Sequence, residues 1–169
     1  RYQVADVTRP PLPGGPADLI YTRFLLVHLP DPHAALAVWA GQLRPGGVLV
    51  VEEPESIETE DADFARYLEL ASIVVAGRGG DLYAGRLLAE ARPEPGEVVV
   101  RRRTPLDVPA GLAATIFSLN LTTWGDDPAV LAVSGPSERS ELAARLERRG
   151  AETDGGVIRW WMRQLVVGR

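Results

Sequence analysis

Between residues 43 and 53 the chain reads Leu-Arg-Pro-Gly-Gly-Val-Leu-Val-Val-Glu-Glu, and this run limits what the rest can fold into. Pro45 has no N–H and its ring clashes with a preceding helical turn, so a helix must end before it. Gly46 and Gly47 supply the positive-φ backbone that a reversal from helix to strand needs. Residues 48–51 are an unbroken apolar run, which fits a strand covered on both faces, as in a parallel sheet. Glu52 and Glu53 then fall at the strand's carboxyl end, where open α/β sheets bind their ligands.

The sequence on either side extends the pattern. Residues 2–7 read as a short strand ending at Asp6 and Val7. The prolines and glycines of 8–16 permit neither helix nor strand. Residues 17–22 read as a second strand, leaving through Arg23, Phe24, Leu25, Leu26, Val27 and His28 into a short helical turn. Asp31 is placed to cap a helix over 33–43, with Pro32 in its first turn and Ala35, Leu36, Trp39 and Leu43 on one face. Beyond Glu53 an acidic stretch leads to predicted helices over 63–76 and 82–91, then a strand over 97–103. Helices follow over 109–124, 128–133 and 137–149, the last capped by Ser137 and stopped by Gly150. Residues 157–167 form a terminal strand. Strands alternating with helices predict an α/β fold, a doubly wound and mostly parallel sheet.

Composition excludes several function classes. A length of 169 residues is one domain by size, with enough apolar sequence for a core. The net charge of −5 argues against a nucleic-acid partner, which wants a basic face. Every basic residue is Arg. With no Cys, disulfides, thiolate metal sites and a Cys nucleophile are ruled out. No apolar run reaches the roughly 20 residues of a membrane span, and no signal peptide opens the chain, so the expected location is cytoplasmic. The chain starts at Arg1 and enters strand-like sequence at once, which reads as a fragment.

The segment from Ala17 to Pro32 (Ala-Asp-Leu-Ile-Tyr-Thr-Arg-Phe-Leu-Leu-Val-His-Leu-Pro-Asp-Pro), followed by Leu-Arg-Pro-Gly-Gly and its strand, resembles the middle of class I S-adenosylmethionine-dependent methyltransferases. In that family a strand of the type F-D-x-V passes through an L-x-H-L-x-D turn and a helix to L-K/R-P-G-G. Val4, Ala5, Asp6 and Val7, with Leu12 and Pro13, resemble the strand and loop just upstream. Asp81 to Leu88 resembles a G-R-x-L helix of small-molecule members. Residues 1–53 carry nearly all of the likeness. The family's Gly-rich cofactor loop has no counterpart; residues 73–80 imitate one, but the third glycine of a G-x-G-x-x-G falls on Leu82.

The resemblance implies a Rossmann-like methyltransferase fold, N-terminally incomplete, over residues 1–169, lacking its first strand–helix–strand unit, with 54–135 as the acceptor side. It implies S-adenosyl-L-methionine as cofactor. Asp6 corresponds to the acid that accepts from the adenine amino group and Val7 to the backbone donor beside it; Asp6 read from the residues alone is a loop cap for Thr8. Tyr21, Thr22 and Arg23 correspond to the backbone under the cofactor's methionine part, and Arg23 could also hold a carboxylate bidentately. His28 and Glu52 are the candidate catalytic bases; His28 is otherwise a packing residue. Glu52 and Glu53 cannot both face a cleft, because strand neighbours point oppositely. The acidic run from Glu55 to Asp63 is most simply a solvated loop, and no metal site is expected.

The function so implied is methyl transfer to a small organic acceptor, with no nucleic-acid or membrane partner and oligomerisation left open. Without the strands that flank it in the family, the strand over 17–22 would show an unpaired edge, and the fragment alone should be inactive and bind the cofactor weakly. The alternative is a non-catalytic methyltransferase-like binding module or one half of a heterodimer. An NAD-dependent reductase is disfavoured, since a Tyr-x-x-x-Lys pair is impossible without Lys.

Overall fold

Pro45, Gly46 and Gly47 lie inside the longest strand of the fold, at an irregularity near its start, and Leu43 opens that strand rather than closing the helix before it. A computed structural model describes residues 2–152 and 156–169. Its strands are β1 (Ala17–Arg23), β2 (Leu43–Glu58), β3 (Glu97–Pro109) and β4 (Val157–Gly168). The helices are α1 (Pro32–Gly41), α2 (Ala62–Gly77), α3 (Ala110–Trp124), α4 (Pro128–Leu131) and α5 (Pro136–Gly150). Two 3-10 segments, Leu26–His28 and Ala84–Ala89, join them.

The sheet order is β1-β2-β4-β3. β1 pairs parallel with β2, while β4 runs antiparallel to both β2 and β3. Three strands therefore share one direction and the last is inserted in reverse between two of them. The α/β, Rossmann-like class stands, but the sheet is mixed, and among the described residues only the β1–β2 ladder is parallel. The reversal follows from the connection: Pro109 at the end of β3 is paired with Val157 at the start of β4, so α3–α5 bring the chain back to the end it left.

Each face has its own core. Along β4, Leu165 and Val167 point to one face and Ile158 and Trp160 to the other, by strand alternation. The first face is sealed by α1 and the two 3-10 segments, with Trp39, Leu36, Leu26, Leu88, Leu49 and Val51 packed together. On the second face, toward the carboxyl end of β2, α2, α3 and α5 bury Phe64, Phe117, Leu142, Leu146 and Ile158. Tyr67 and Phe117 stack there at 3.9 Å between ring centroids. The rest of that second face, around Val48 and Val50, is only half-buried, and Leu19 and Tyr21 on the neighbouring strand are 62% and 54% exposed. The 48–51 run is thus covered on one face only, contrary to the sequence expectation.

Other expectations shift for local reasons. Residues 2–7 form no strand and are largely exposed, and β1 pairs on one side alone among the described residues. A lone extended segment with no neighbouring strand has nothing to satisfy its backbone. Residues 82–91 hold the 3-10 segment Ala84–Ala89 rather than an α-helix. The cap of α5 is Gly135, not Ser137, because Pro136 takes the first helical position, where its missing N–H costs nothing. Asp31 caps α1 as expected, accepting from Ala34 N–H at 2.9 Å, and Asp61 caps α2, accepting from Asp63 N–H at 2.9 Å.

Candidate active site

β1 ends beside the middle of β2, and its exit forms the site; Glu52 and Glu53 lie within β2, which runs on to Glu58, rather than at its carboxyl end as the sequence suggests. Register pairs Thr22 with Val51 and Arg23 with Glu52. Phe24 then turns with φ 54°, a left-handed backbone that a bulky residue adopts only under constraint. Its N–H donates to the Glu52 carbonyl at 3.1 Å, and its ring meets Trp160 edge-on at 5.8 Å. The Arg23 guanidinium lies 5.4 Å from the Phe24 ring centroid.

The two consecutive acids have opposite surroundings. The Glu52 carboxylate is partly exposed and accepts from Tyr21 Oη and from Gln164 Nε2, both at 2.7 Å; Arg23 Nε stands 4.0 Å away. The hydrogen bond to Glu52 raises the Tyr21 phenol above its usual range. Glu53 is fully buried on the sealed face. Its Oε1 accepts from the backbone N–H groups of Leu25 and Leu26, each at 2.8 Å, and its Oε2 has no partner among the described residues. Burial raises its carboxyl above the usual range, against the lowering effect of those backbone donors. Thr22 is also buried, with its Oγ1 unpartnered among the described residues.

Beside Glu52 lies a cavity of about 250 Å³, lined by Arg23, Arg102, Leu106, Met162 and Gln164. A larger one, about 670 Å³, sits at the far end of β2 against Glu58, Asp61, Phe64, Arg149 and Arg159. The acidic stretch is largely ion-paired rather than solvated. Glu55 bonds Arg103 at 2.6 Å and also Arg163; Asp61 lies 3.2 Å from Arg149, and Asp63 is 2.9 Å from Arg145. Desolvation pushes Glu55 up, but the two guanidinium hydrogen bonds outweigh it and hold its carboxyl below the usual range. Among the described residues no group of three or more His, Asp or Glu could hold a metal ion.

The structure brings Tyr21, Thr22, Arg23 and Glu52 together and leaves the other candidates apart. Asp6 lies in the loop, accepting from Thr8 N–H at 2.9 Å and Thr8 Oγ1 at 2.6 Å, with Arg9 at 3.1 Å. The Thr8 side-chain hydrogen bond lowers its carboxyl. Val7 is tied to α1 through Trp39 Nε1, which donates to the Val7 carbonyl at 2.9 Å. His28 ends the 3-10 turn and is exposed, its N–H bonded to the Leu25 carbonyl at 3.1 Å. Sequence reasoning missed Gln164, Phe24 and the burial of Glu53; for the last, the signal was the pair of consecutive acids on a strand with one apolar face.

A profile for the "Methyltransferase domain" family matches residues 1–51, through β1, the turn, α1 and into β2. Over residues 1–51 the chain is therefore similar to methyltransferase domains. Phosphoethanolamine N-methyltransferase 3 of Arabidopsis thaliana is 33% identical over 108 residues, 61% of this chain and 20% of that protein. Phosphoethanolamine N-methyltransferase 1 of the same plant is 29% identical over 106 residues, again 61% and 20%. The chain thus spans about a fifth of the length of the curated relatives it matches. Among solved structures, Haemonchus contortus phosphoethanolamine N-methyltransferase 2, in complex with phosphomonomethylethanolamine and S-adenosylhomocysteine, is similar with a TM-score of 0.48 and 14% identity, over 96% of this chain and 36% of that one. The cyclopropane synthase MmaA2 of Mycobacterium tuberculosis gives 0.45 and 15%, over 92% and 56%. The family segment ends at Val51, directly before the two acids. Among the described residues no helix is long and apolar enough to cross a membrane.

Proposed function

We propose that this chain is part of an enzyme that transfers a methyl group from S-adenosyl-L-methionine to a small organic acceptor. The observation that carries the reading is the methyltransferase-domain match running through β1 and into β2, up to the point where Arg23 at the end of β1 and its partner Glu52 border a cavity. The β1 exit suits the cofactor's amino-acid part: Arg23 lines the cavity with a guanidinium that can meet a carboxylate, and the backbone of Tyr21 and Thr22 runs beside it. Asp6 and Val7 would take the adenine side once Asp6 exchanges its bonds to Thr8 and Arg9. Bound, the cofactor supplies an electrophilic methyl on a sulfonium leaving group.

The protein's part is then to orient and to move one proton. The site would hold the acceptor in line with that methyl, and the acceptor's proton would pass to a base on this chain. Glu52 fits that role, partly exposed beside the cavity and accepting from Tyr21 and Gln164; His28 is the second candidate. Residues 54–135 would shape the acceptor side, where α2 and α3 set Tyr67, Phe117 and Trp124 against one another. The phosphoethanolamine relatives support a small polar amine as the first acceptor to try.

The test is transfer of a labelled methyl from S-adenosylmethionine by the longest protein containing this chain, with phosphoethanolamine first among amine, hydroxyl and carbon acceptors. Label transfer that falls about 100-fold in Glu52→Gln supports the reading; no transfer to any acceptor overturns it and leaves a non-catalytic methyltransferase-like module. The chain alone, with β1 paired on one side, should show no micromolar affinity for the cofactor by calorimetry.

A further inference from the structure

Residues 23–28 leave β1 through a backbone shape that Phe24 does not favour, at φ 54°. Such strain persists only where the surroundings over-determine it. Three contacts do so. Beneath the turn, the carboxyl of Glu53 takes the N–H groups of Leu25 and Leu26, donors that the start of a helical turn cannot satisfy within itself. Above it, Gly80 lies so close that a Cβ there would stand 2.1 Å from the Val27 carbonyl oxygen. Behind it, a Cβ on Gly85 would come 2.6 Å from the carbonyl oxygens of Glu53 and Pro54, so only glycine lets the segment Ala84–Ala89 lie on β2 and close Glu53 from solvent.

A carboxyl in an apolar core is costly, and a leucine would fill the site without that cost. Its neighbours on the same face of β2, Leu49 and Val51, are fully buried aliphatics. What Glu53 adds to packing is an acceptor for two backbone donors at the mouth of the cleft.

We infer that Glu53 is a positioning residue: through the N–H groups of Leu25 and Leu26 it fixes the backbone that presents Arg23 to the cavity and holds Phe24 against Trp160. It touches no ligand. Its place in catalysis rests on the methyl-transfer reading of the cleft; the clamp itself does not.

Amide hydrogen exchange of this chain by NMR tests the inference, in the wild type, Glu53→Gln and Glu53→Met. In the wild type the Leu25 and Leu26 amides should be protected by about 100-fold or more over an unstructured peptide, although they lie at a short turn. In Glu53→Met these two should exchange about ten-fold faster while the β3–β4 amides, such as those of Val100 and Leu165, change by less than about two-fold. Glu53→Gln, whose side-chain carbonyl can accept the same two bonds, should return them to within about three-fold of wild type. A uniform rise across the sheet in Glu53→Met, failure of Gln to rescue, or unprotected Leu25 and Leu26 in the wild type would each overturn the inference. The last needs no variant, so it decides even where Glu53→Met does not fold. The methyl-transfer reading fails separately, through absent label transfer with the exchange pattern intact.

Discussion

Glu52 and Glu53 are one peptide bond apart and belong to two different regions of the molecule. On the sealed face, α1 and the two 3-10 segments lie over β2, and Leu49, Val51 and Glu53 are removed from water entirely. On the other face, the same stretch of β2 leaves Val48, Val50 and Glu52 half-buried, beside exposed Leu19 and Tyr21. Side-chain chemistry does not distinguish the two rows, since each is two aliphatics and an acid. Their energetics are set by what covers them: one carboxyl is locked to backbone amides, and the other is shared among Tyr21, Gln164 and Arg23 in reach of solvent.

The contrast breaks most visibly in a pair of alanine substitutions. Leu49→Ala should cost about 3 kcal/mol, because the fixed surroundings leave a cavity, whereas Val50→Ala should cost less than about 1 kcal/mol. Urea unfolding of both variants measures the gap, and equal losses would show the open face to be covered. Gly85→Ala comes next. Its new methyl would meet backbone rather than a movable side chain, so a loss of about 2 kcal/mol is expected in the same assay.

The pH dependence separates the two acids by sign. Glu53 has a raised carboxyl in the folded state, so between the ordinary glutamate value and that raised one the folded chain holds a proton that the unfolded chain has lost. Its contribution is full below the ordinary value and declines as pH rises through the window. Glu53→Gln should remove that decline from a plot of stability against pH. Glu55, held low, acts oppositely: its contribution is present above the ordinary value and is lost as pH falls through the folded-state one. The smallest effect belongs to Glu52→Gln, within about 0.5 kcal/mol in unfolding, since partly exposed polar pairs contribute little. A larger loss there would mean that Glu52 supports the fold, and its candidacy as a base would weaken.

Much of the left half of the sheet was legible in the chain. The Asp31–Pro32 start of α1 and the face of Ala35, Leu36 and Trp39 are local signals, and both fall where spacing puts them, while Leu43 and the Pro-Gly-Gly run belong to β2 rather than to the helix end and a turn. Local signals cannot report neighbours. Residues 2–7 have strand-like composition but no strand beside them, and the apolar run over 48–51 does not say which of its faces is covered. The reversed insertion of β4 is likewise a pairing choice, fixed by where α3–α5 deliver the chain. In the site, alternation showed that one acid must turn away from the cleft. That the hidden one would grip the turn after β1 depended on Gly80 and Gly85, nearly 30 residues downstream or more, and on a left-handed Phe24 that no residue preference announces.

The placement of β4 between β2 and β3 has a consequence for how the chain comes into being. Synthesis proceeds from the amino end, so β1 and β2 can pair as soon as they emerge, through a short crossover. Among the described residues β3 has no neighbour to join until residues 157–168 appear, since its ladder there is with β4 alone. For the time taken to make α3, α4 and α5, the nascent chain carries an unpaired edge on β2 and a β3 with no partner, both open to other growing chains. β4 satisfies both when it appears, and Arg169 then locks onto the Pro-Gly-Gly run, its N–H donating to the Gly47 carbonyl at 3.1 Å while its own carbonyl accepts from Gly46.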